Sequence, residues 1–421
     1  MQRALDVAER QDVRRVMWFF AVVYAVEGIG QAKVGIMGQP MIYFLKQVRG
    51  WDTVTISASL AVFDLPWVIK PLWGAISDFV PLFGYRRRSY LLLASIAAMG
   101  AFGWVATLQS PGTLIPAMFV TSVAMAICST LCGALLVETG HRHHGSAGFV
   151  NQQWLWYSIA QMAAVLVAGY LIEVFSPIGA VHAAASIAAV APLAIILSLR
   201  LIHEDRAAVD LASLRARLRA LIAAFRTRNL WLVGGFLFLY YFSPHFGTPL
   251  FFHMTDQLRF SQGFIGVLAS VGSAGWIVGG LLYAGWLKRL SHPALMRLSI
   301  AGGVLSTLSY LLLFDPVSAI LIYLFAGVTS MLAFVATLSL AADSCPEGAE
   351  GFAFAAMMSV LNLTQPLADL FGAVLFEHAF ARQLPPLIMV SAATTGLVFL
   401  LVPYMAFRPR AASAARDCGV N

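Results

Sequence analysis

Long apolar stretches alternate with short polar segments along most of this chain. An α-helix needs about 20 apolar residues to cross the hydrocarbon layer of a membrane. The first stretch is longer than one crossing requires, and its glycines together with Pro40 predict a bent helix. The pattern predicts twelve transmembrane helices, at roughly 16–45, 53–80, 89–108, 113–137, 148–173, 180–202, 229–254, 262–287, 294–314, 316–341, 351–378 and 385–407.

The longest polar segment divides these stretches into six and six. It covers 203–228, where leucines recur at helical spacing among arginines, which predicts an amphipathic helix on the membrane surface. A plain linker is the alternative. The predicted organisation is an N-terminal tail at 1–15, a six-helix bundle at 16–202, a cytoplasmic linker at 203–228, a second bundle at 229–407 and a C-terminal tail at 408–421.

Composition supports an all-α membrane protein. Of 421 residues, 60% are hydrophobic and only 11% are charged, whereas soluble domains carry about a quarter charged residues. The net charge of +7 comes from short basic runs between apolar stretches, so we expect no nucleic-acid partner. The four cysteines show no disulfide or metal-ligand spacing.

The lysines and arginines indicate how the chain is oriented. If the N-terminus is inside, 21 of them lie on the cytoplasmic side and four on the other. Lysine and arginine residues in the loops of membrane proteins are enriched on the cytoplasmic side. We therefore expect a multi-pass protein of the inner or plasma membrane with both termini in the cytoplasm.

The two halves of the chain repeat one another. Trp67 and Trp276 are 209 residues apart, and shifting the first half by that interval brings its apolar stretches close to those of the second half. Two such six-helix halves predict the fold of the major facilitator superfamily, with the substrate site between the halves near the middle of the membrane.

Two segments resemble a known branch of that superfamily. The run PWVIKPLWGAISDFVPLFGYRRRSYL resembles the signature of the folate-biopterin transporter family, and SPHFGTPLFFHMTDQLRFSQGFIGVL resembles its seventh helix and following loop. The resemblance covers essentially the whole chain. It implies uptake of folates, biopterin or related pteridines, driven by protons.

The first of these segments also carries a candidate cytoplasmic gate. The resemblance implies that the acid and a nearby arginine form a charge network that latches the two halves in the outward-facing state. The simpler alternative is that the arginines only set topology. The second half has Leu287 where the repeat would place a second acid. The candidate gate residues are Gly74, Asp78, Arg86, Arg87 and Arg88.

Four charges lie deep in the first two predicted helices. Charges within a membrane are costly and by default face a partner or a cavity. At about 1.5 Å per residue, counting from the cytoplasmic ends places each acid level with the lysine of the other helix. We therefore predict two cross-helix pairs, either purely structural or with a member acting on a proton or the substrate: Glu27 with Lys70, and Lys33 with Asp64.

Further polar residues are candidates for binding substrate or protons. Asn362, Gln365 and Asp369 share one face of the eleventh helix, and hydrogen bonding between helices is the alternative role. Asn151 begins a polar stripe on the fifth helix, continued by Trp154, Ser158 and Gln161. His245 lies in a break-prone stretch of the seventh helix and is either structural, a proton relay or a ligand contact.

The sequence shows no cofactor, metal or catalytic motif. The HRHH run at 141–144 has no second ligand cluster, so we expect no metal site. We predict a monomeric, proton-coupled secondary transporter, not an enzyme, that moves a folate-like or pteridine-like organic anion by alternating access. The alternatives are a carrier of another solute, such as a sugar, muropeptide or drug, and a non-transporting membrane assembly factor.

Overall fold

The computed structural model describes residues 2–108, 111–142, 146–202, 204, 206, 228–343 and 350–405. Nearly all of the predicted linker, the predicted C-terminal tail and two histidines of the HRHH run lie outside these residues. The α-helices are α1 (Gln2–Gly30), α2 (Gly38–Gln47), α3 (Thr53–Val68), α4 (Lys70–Phe79), α5 (Arg88–Ala106), α6 (Leu114–Arg142), α7 (Ser146–Val174), α8 (Pro177–Ser198), α9 (Arg228–Tyr241), α10 (Gly247–Asp256), α11 (Gln262–Gly285), α12 (His292–Ser309), α13 (Pro316–Asp343), α14 (Glu350–Val374) and α15 (Leu384–Leu397).

Short 3-10 and π-helical turns complete the described part of the chain. Turns of 3-10 helix lie at Pro111–Thr113, Leu199–Leu201, Leu287–Arg289, Tyr310–Leu312 and Val398–Tyr404, and a π-helical turn lies at Leu375–Ala379. No strand occurs among the described residues. The all-α prediction is therefore confirmed.

Ten helical stretches of the described chain are long and apolar enough to cross a membrane. Large apolar side chains, including Val190, Leu281 and Leu321, point outward and are more than 60% exposed. Exposed apolar surface on this scale is expected of helices that face lipid. The other two predicted crossings are each interrupted: the first becomes α1 and α2, and the seventh becomes α9 and α10. A count of twelve requires each interrupted pair to be one crossing.

Backbone spacing enforces the first interruption. Between α1 and α2 the chain folds so tightly that a Cβ on Gly35 would lie 2.2 Å from the Ile29 carbonyl oxygen, and one on Gly38 would lie 2.3 Å from that of Lys33. Both distances are far inside van der Waals contact, so only glycine fits. The predicted bend is thus a break at residues 31–37.

The internal repeat extends to these helix starts and breaks. Thr53 begins α3 and Gln262 begins α11, and 262 minus 53 is the repeat interval of 209. Adding 209 to the first break gives residues 240–246, and the seventh crossing is interrupted at residues 242–246. Corresponding interrupted helices in two halves are the usual marker of a transporter's binding region.

The chain groups into two compact units. The first comprises residues 1–215 and 254–273, and the second comprises residues 216–253 and 274–421. Segment 254–273, which contains the first half of α11, therefore packs with the first unit. The second unit has a core from five elements around Phe236, Leu237, Met296, Leu340 and Val398.

Candidate functional site

Lys33 lies in the break of the first crossing and pairs with Asp64 on α3. The Lys33 Nζ is 3.3 Å from the Asp64 Oδ2, so this predicted cross-helix pair is confirmed. The two side chains keep 25% and 21% of their surface exposed. The pair is therefore partly accessible, although it lies within predicted membrane-crossing segments.

Glu27 and Lys70 are joined through a third residue rather than directly. The Ser129 hydroxyl of α6 donates to the Glu27 Oε1 at 3.0 Å and accepts from the Lys70 Nζ at 3.1 Å. The two predicted partners are thus brought together across the helices through Ser129. Counting along helices gives relative depth only. It does not reveal that a third helix places a side chain between the two charges.

Lys70 also contacts an aromatic ring. Its ammonium lies 4.4 Å from the centroid of the Trp67 ring, a cation–π arrangement. The Trp67 Nε1 donates to the Ser122 hydroxyl at 3.0 Å, which fixes the ring. Lys70 is the first residue of α4, directly after the helix interruption at Ile69, so its position depends on that interruption.

The α1–α2 break is lined by hydrogen-bonding groups of α7. The Tyr157 hydroxyl donates to the Gln31 side-chain oxygen at 3.0 Å, and Gln161 donates to the Val34 carbonyl at 3.4 Å. Trp154 packs edge-on against Tyr157. Three members of the predicted stripe are thus described, since Ser158 is buried on the same helix. The side chain of Asn151 lies outside the described part of the structure.

The second unit brings His245 and Asp369 together. The His245 Nδ1 lies 3.2 Å from the Asp369 Oδ1. His245 sits in the interruption between α9 and α10, and its backbone N–H donates to the Ala368 carbonyl of α14 at 3.1 Å. A Cβ on Gly372 would lie only 1.8 Å from the His245 carbonyl oxygen. Glycine at 372 therefore permits this close approach.

The predicted polar face of α14 is accessible. Gln365 is exposed, and Asn362 and Asp369 are half-buried. At 100° per residue, this face lies on the opposite side of the helix from Leu363 and Leu367, which are each 40% exposed. The amide and carboxyl groups thus point away from the helix side that presents leucine.

The predicted gate is a network within the first unit, centred on Arg87. Its Nη2 lies 2.6 Å from the Asp78 Oδ1 and 2.9 Å from the Glu138 Oε1. Its Nη1 donates a hydrogen bond to the Ser77 hydroxyl. The guanidinium is almost fully buried. A Cβ added at Gly74 would lie 3.7 Å from the Thr130 side chain, an ordinary van der Waals distance.

Arg86 and Arg88 take part through their backbones. Their N–H groups and that of Arg87 donate to the Glu204 carboxylate, each at 2.8 Å. Glu204 thereby caps the first turn of α5 with a negative charge, where the helix dipole favours one. Within the described structure, the side-chain contacts to Asp78, Glu138 and Ser77 are made by Arg87.

Segment 254–273 meets the first bundle at the end remote from Asp78. Lys46 forms an ion pair with Asp256, and the Gln39 amide donates to the Gln262 carbonyl at 2.8 Å. Both contacts join α2 to the facing ends of α10 and α11.

Helices α7 and α11 touch backbone to backbone at this end. A Cβ on Gly266 would lie 2.9 Å from the Val165 carbonyl and 3.0 Å from the Gly169 Cα. A pair of glycines facing each other allows such an approach in membranes.

Sequence reasoning missed several participants in these sites, among them Ser129, Glu138, Glu204 and Gln31. Ser129 carries no charge and sits in an apolar helix, so its position between two charges left no signal. Glu138 and Glu204 stand 51 and 117 residues beyond Arg87. Gln31 offered a signal, since it is a polar residue next to the glycines of the break.

Comparisons with known proteins cover most of the chain. Residues 30–402 match the model of the BT1 family. The chain is 29% identical to a folate-biopterin transporter of Synechocystis over 415 residues, covering 94% of this chain and 82% of that protein. It is 25% identical to folate transporter 2 of Plasmodium falciparum, covering 81% and 77%.

A solved structure shows a similar fold. The crystal structure of a D-xylose-proton symporter superposes with a TM-score of 0.74, covering 94% of this chain and 98% of that one at 12% identity. At that identity the likeness concerns the fold alone, which is that of the major facilitator superfamily.

Proposed function

The chain belongs to the BT1 family of folate-biopterin transporters, and from this membership we propose that it carries a folate-like organic anion by alternating access. It is a membrane transporter and not an enzyme. The observation that supports an anionic substrate most directly is the Lys33–Asp64 pair. A lysine that is partly accessible and located at a helix interruption is suited to receive a carboxylate.

Substrate binding at this pair is an exchange of carboxylates. A folate-like molecule is flat, aromatic and anionic, and its carboxylate replaces that of Asp64 on the Lys33 ammonium. The Gln31 amide and the ring of Tyr157 lie at the same break and offer a hydrogen bond and an apolar surface. In the second unit, Gln365 and Asn362 supply further amides.

Proton coupling rests on two carboxyl groups in this proposal. Glu27 is 7% exposed, and its Oε2 is among the buried polar atoms of the described structure without a hydrogen-bond partner. A carboxylate in such a position is expensive to keep charged, which favours protonation during the cycle. Asp369, with His245 beside it, is the corresponding group of the second unit.

The orientation proposed from the basic residues completes the description. Both termini and the Arg87 network face the cytoplasm of an inner or plasma membrane, and the protein works as a monomer of two six-helix bundles, 16–202 and 229–407. The contacts of segment 254–273 with α2 and α7 then break as the other side opens.

Uptake of labelled folate into whole cells, with and without a protonophore, tests this function. We expect uptake that depends on the protein and collapses when the protonophore is added. Absence of folate uptake contradicts the pteridine substrate. Uptake that the protonophore leaves unchanged contradicts the proton coupling alone.

A further inference from the structure

Ser129 links two charged side chains of the first unit, Glu27 and Lys70. It is 8% exposed and lies on α6, opposite both Glu27 of α1 and Lys70 of α4. The distances of 3.0 Å to the carboxylate and 3.1 Å to the ammonium are both those of good hydrogen bonds.

The hydroxyl imposes a direction on this chain of hydrogen bonds. It has one hydrogen, so donating to the Glu27 Oε1 leaves its lone pairs to accept from Lys70. Both bonds are charge-assisted and are therefore stronger than neutral ones. The Glu27 Oε2, which is unpartnered among the described groups, is left as the oxygen that can receive a proton.

Lys70 depends on this hydroxyl. Within the described structure its ammonium contacts the Ser129 hydroxyl and the Trp67 ring, and no carboxylate oxygen pairs with it within 4.0 Å. Lys33, by contrast, pairs directly with Asp64. The negative charge of Glu27 therefore reaches Lys70 through a single intermediary.

Other titratable groups around Glu27 do not replace this link. Among the described residues, the titratable groups besides Lys70 that interact electrostatically with its carboxylate are the phenols of Tyr24 and Tyr157 and the thiols of Cys128 and Cys132. Ordinary thiols and phenols titrate at about 8.5 and 10 and are uncharged at neutral pH. Glu27 and Lys70 are thus the charged members of the cluster.

We propose that Ser129 is a positioning residue that transmits the protonation state of Glu27 to Lys70. While Glu27 is ionised, its carboxylate orients the hydroxyl, and the hydroxyl holds the lysine. Protonation at the Oε2 neutralises the carboxyl group and weakens both bonds, so the Lys70 ammonium is released to an anionic substrate group. Proton binding thereby increases the affinity for the anion. This inference rests on the proposed proton-coupled transport.

The test compares substrate affinity across external pH in proteoliposomes that contain the full-length protein. The variants are Ser129→Ala, which removes both bonds, and Ser129→Thr, which keeps the hydroxyl. The matched control is Thr121→Val on the same helix, because Thr121 is also buried and its hydroxyl donates to the Met118 carbonyl of its own helix. Initial rates of labelled folate uptake give KM and kcat separately.

We expect the KM of the wild type and of Thr121→Val to fall as the external pH falls. In Ser129→Ala the change of KM across the pH range should shrink by about tenfold, the equilibrium change that one charge-assisted hydrogen bond supports. Ser129→Thr should restore the wild-type change. A Ser129→Ala protein with the wild-type pH dependence of KM overturns the proposal, whatever its kcat.

A second measurement avoids transport and guards against misfolding. A hydrophobic carbodiimide modifies protonated carboxyl groups, and mass spectrometry reports the modified Glu27 peptide. Loss of the Ser129 bond to the ionised carboxyl group should move the midpoint of labelling to higher pH in Ser129→Ala and in the near-isosteric Ser129→Cys. An unmoved midpoint in both variants overturns the proposal. A moved midpoint with no pH effect on the wild-type KM contradicts the proposed proton coupling instead.

Discussion

Removing Lys33 and Asp64 together distinguishes an ion pair that only holds the fold from one that binds substrate. The three variants are Lys33→Ala, Asp64→Ala and the double substitution. Each single variant leaves one charge without its 3.3 Å partner, whereas the double variant leaves neither charge. Stability and transport should therefore respond differently to the three changes.

The magnitudes follow from how the pair is buried. Removing one partner of a buried ion pair costs about 3–5 kcal/mol, because the other charge stays behind. Each side chain here keeps a fifth to a quarter of its surface, so we expect the lower end, about 3 kcal/mol. Loss of a charge-assisted contact with the substrate is worth about 1.5–3 kcal/mol, or about a 10- to 150-fold rise in KM.

Two assays on the same preparations read these effects. Thermal unfolding in detergent should show both single variants destabilised and the double variant restored to near the wild type. Uptake of labelled folate should be poor in all three variants. Lys33→Ala and the double variant lack the cation, and in Asp64→Ala no carboxylate is left to displace the bound substrate from Lys33. A double variant that is stable and transports with the wild-type KM would refute the reasoning, because the pair would then be purely structural.

Three further predictions concern other elements. Gly372→Ala should destabilise the second unit by about 2 kcal/mol, measured by thermal unfolding, because the new methyl would meet the His245 carbonyl; an unchanged midpoint contradicts the tight approach. Arg87→Lys should lose the forked contacts to Asp78 and Ser77 at a cost of about 1–3 kcal/mol and slow uptake, while Arg86→Lys should retain the wild-type rate; equal effects contradict an Arg87-centred network. Gly266→Ala should separate α7 from α11 and speed the reaction of a charged maleimide with a cysteine placed at position 39; unchanged labelling contradicts the packing argument.

Sequence reasoning succeeded where regular helix geometry applies. The relative depth of Lys33 and Asp64 follows from the rise per residue along two neighbouring helices, and the pair formed as predicted. The interruptions of the first and seventh crossings were also foreseeable, because glycine and proline cluster at both. These features depend on local chemistry and on counting.

Contacts that depend on a third element were out of reach. Depth counting placed Glu27 and Lys70 at one level, yet Ser129 of another helix stands between them. His245 and Asp369 were each singled out from sequence, but their 3.2 Å contact joins segments 124 residues apart through the packing of α14. Glu204 acts on α5 from beyond the first bundle, and nothing in its local sequence marks that role.

Transport by the purified protein tests the central claim most directly. The protein is reconstituted into proteoliposomes, a pH gradient with the acidic side outside is imposed, and labelled folate is measured inside. The account predicts accumulation above the external concentration that disappears when the gradient is collapsed and that Lys33→Ala prevents. Vesicles that take up no more folate than protein-free ones, under any gradient, would contradict it.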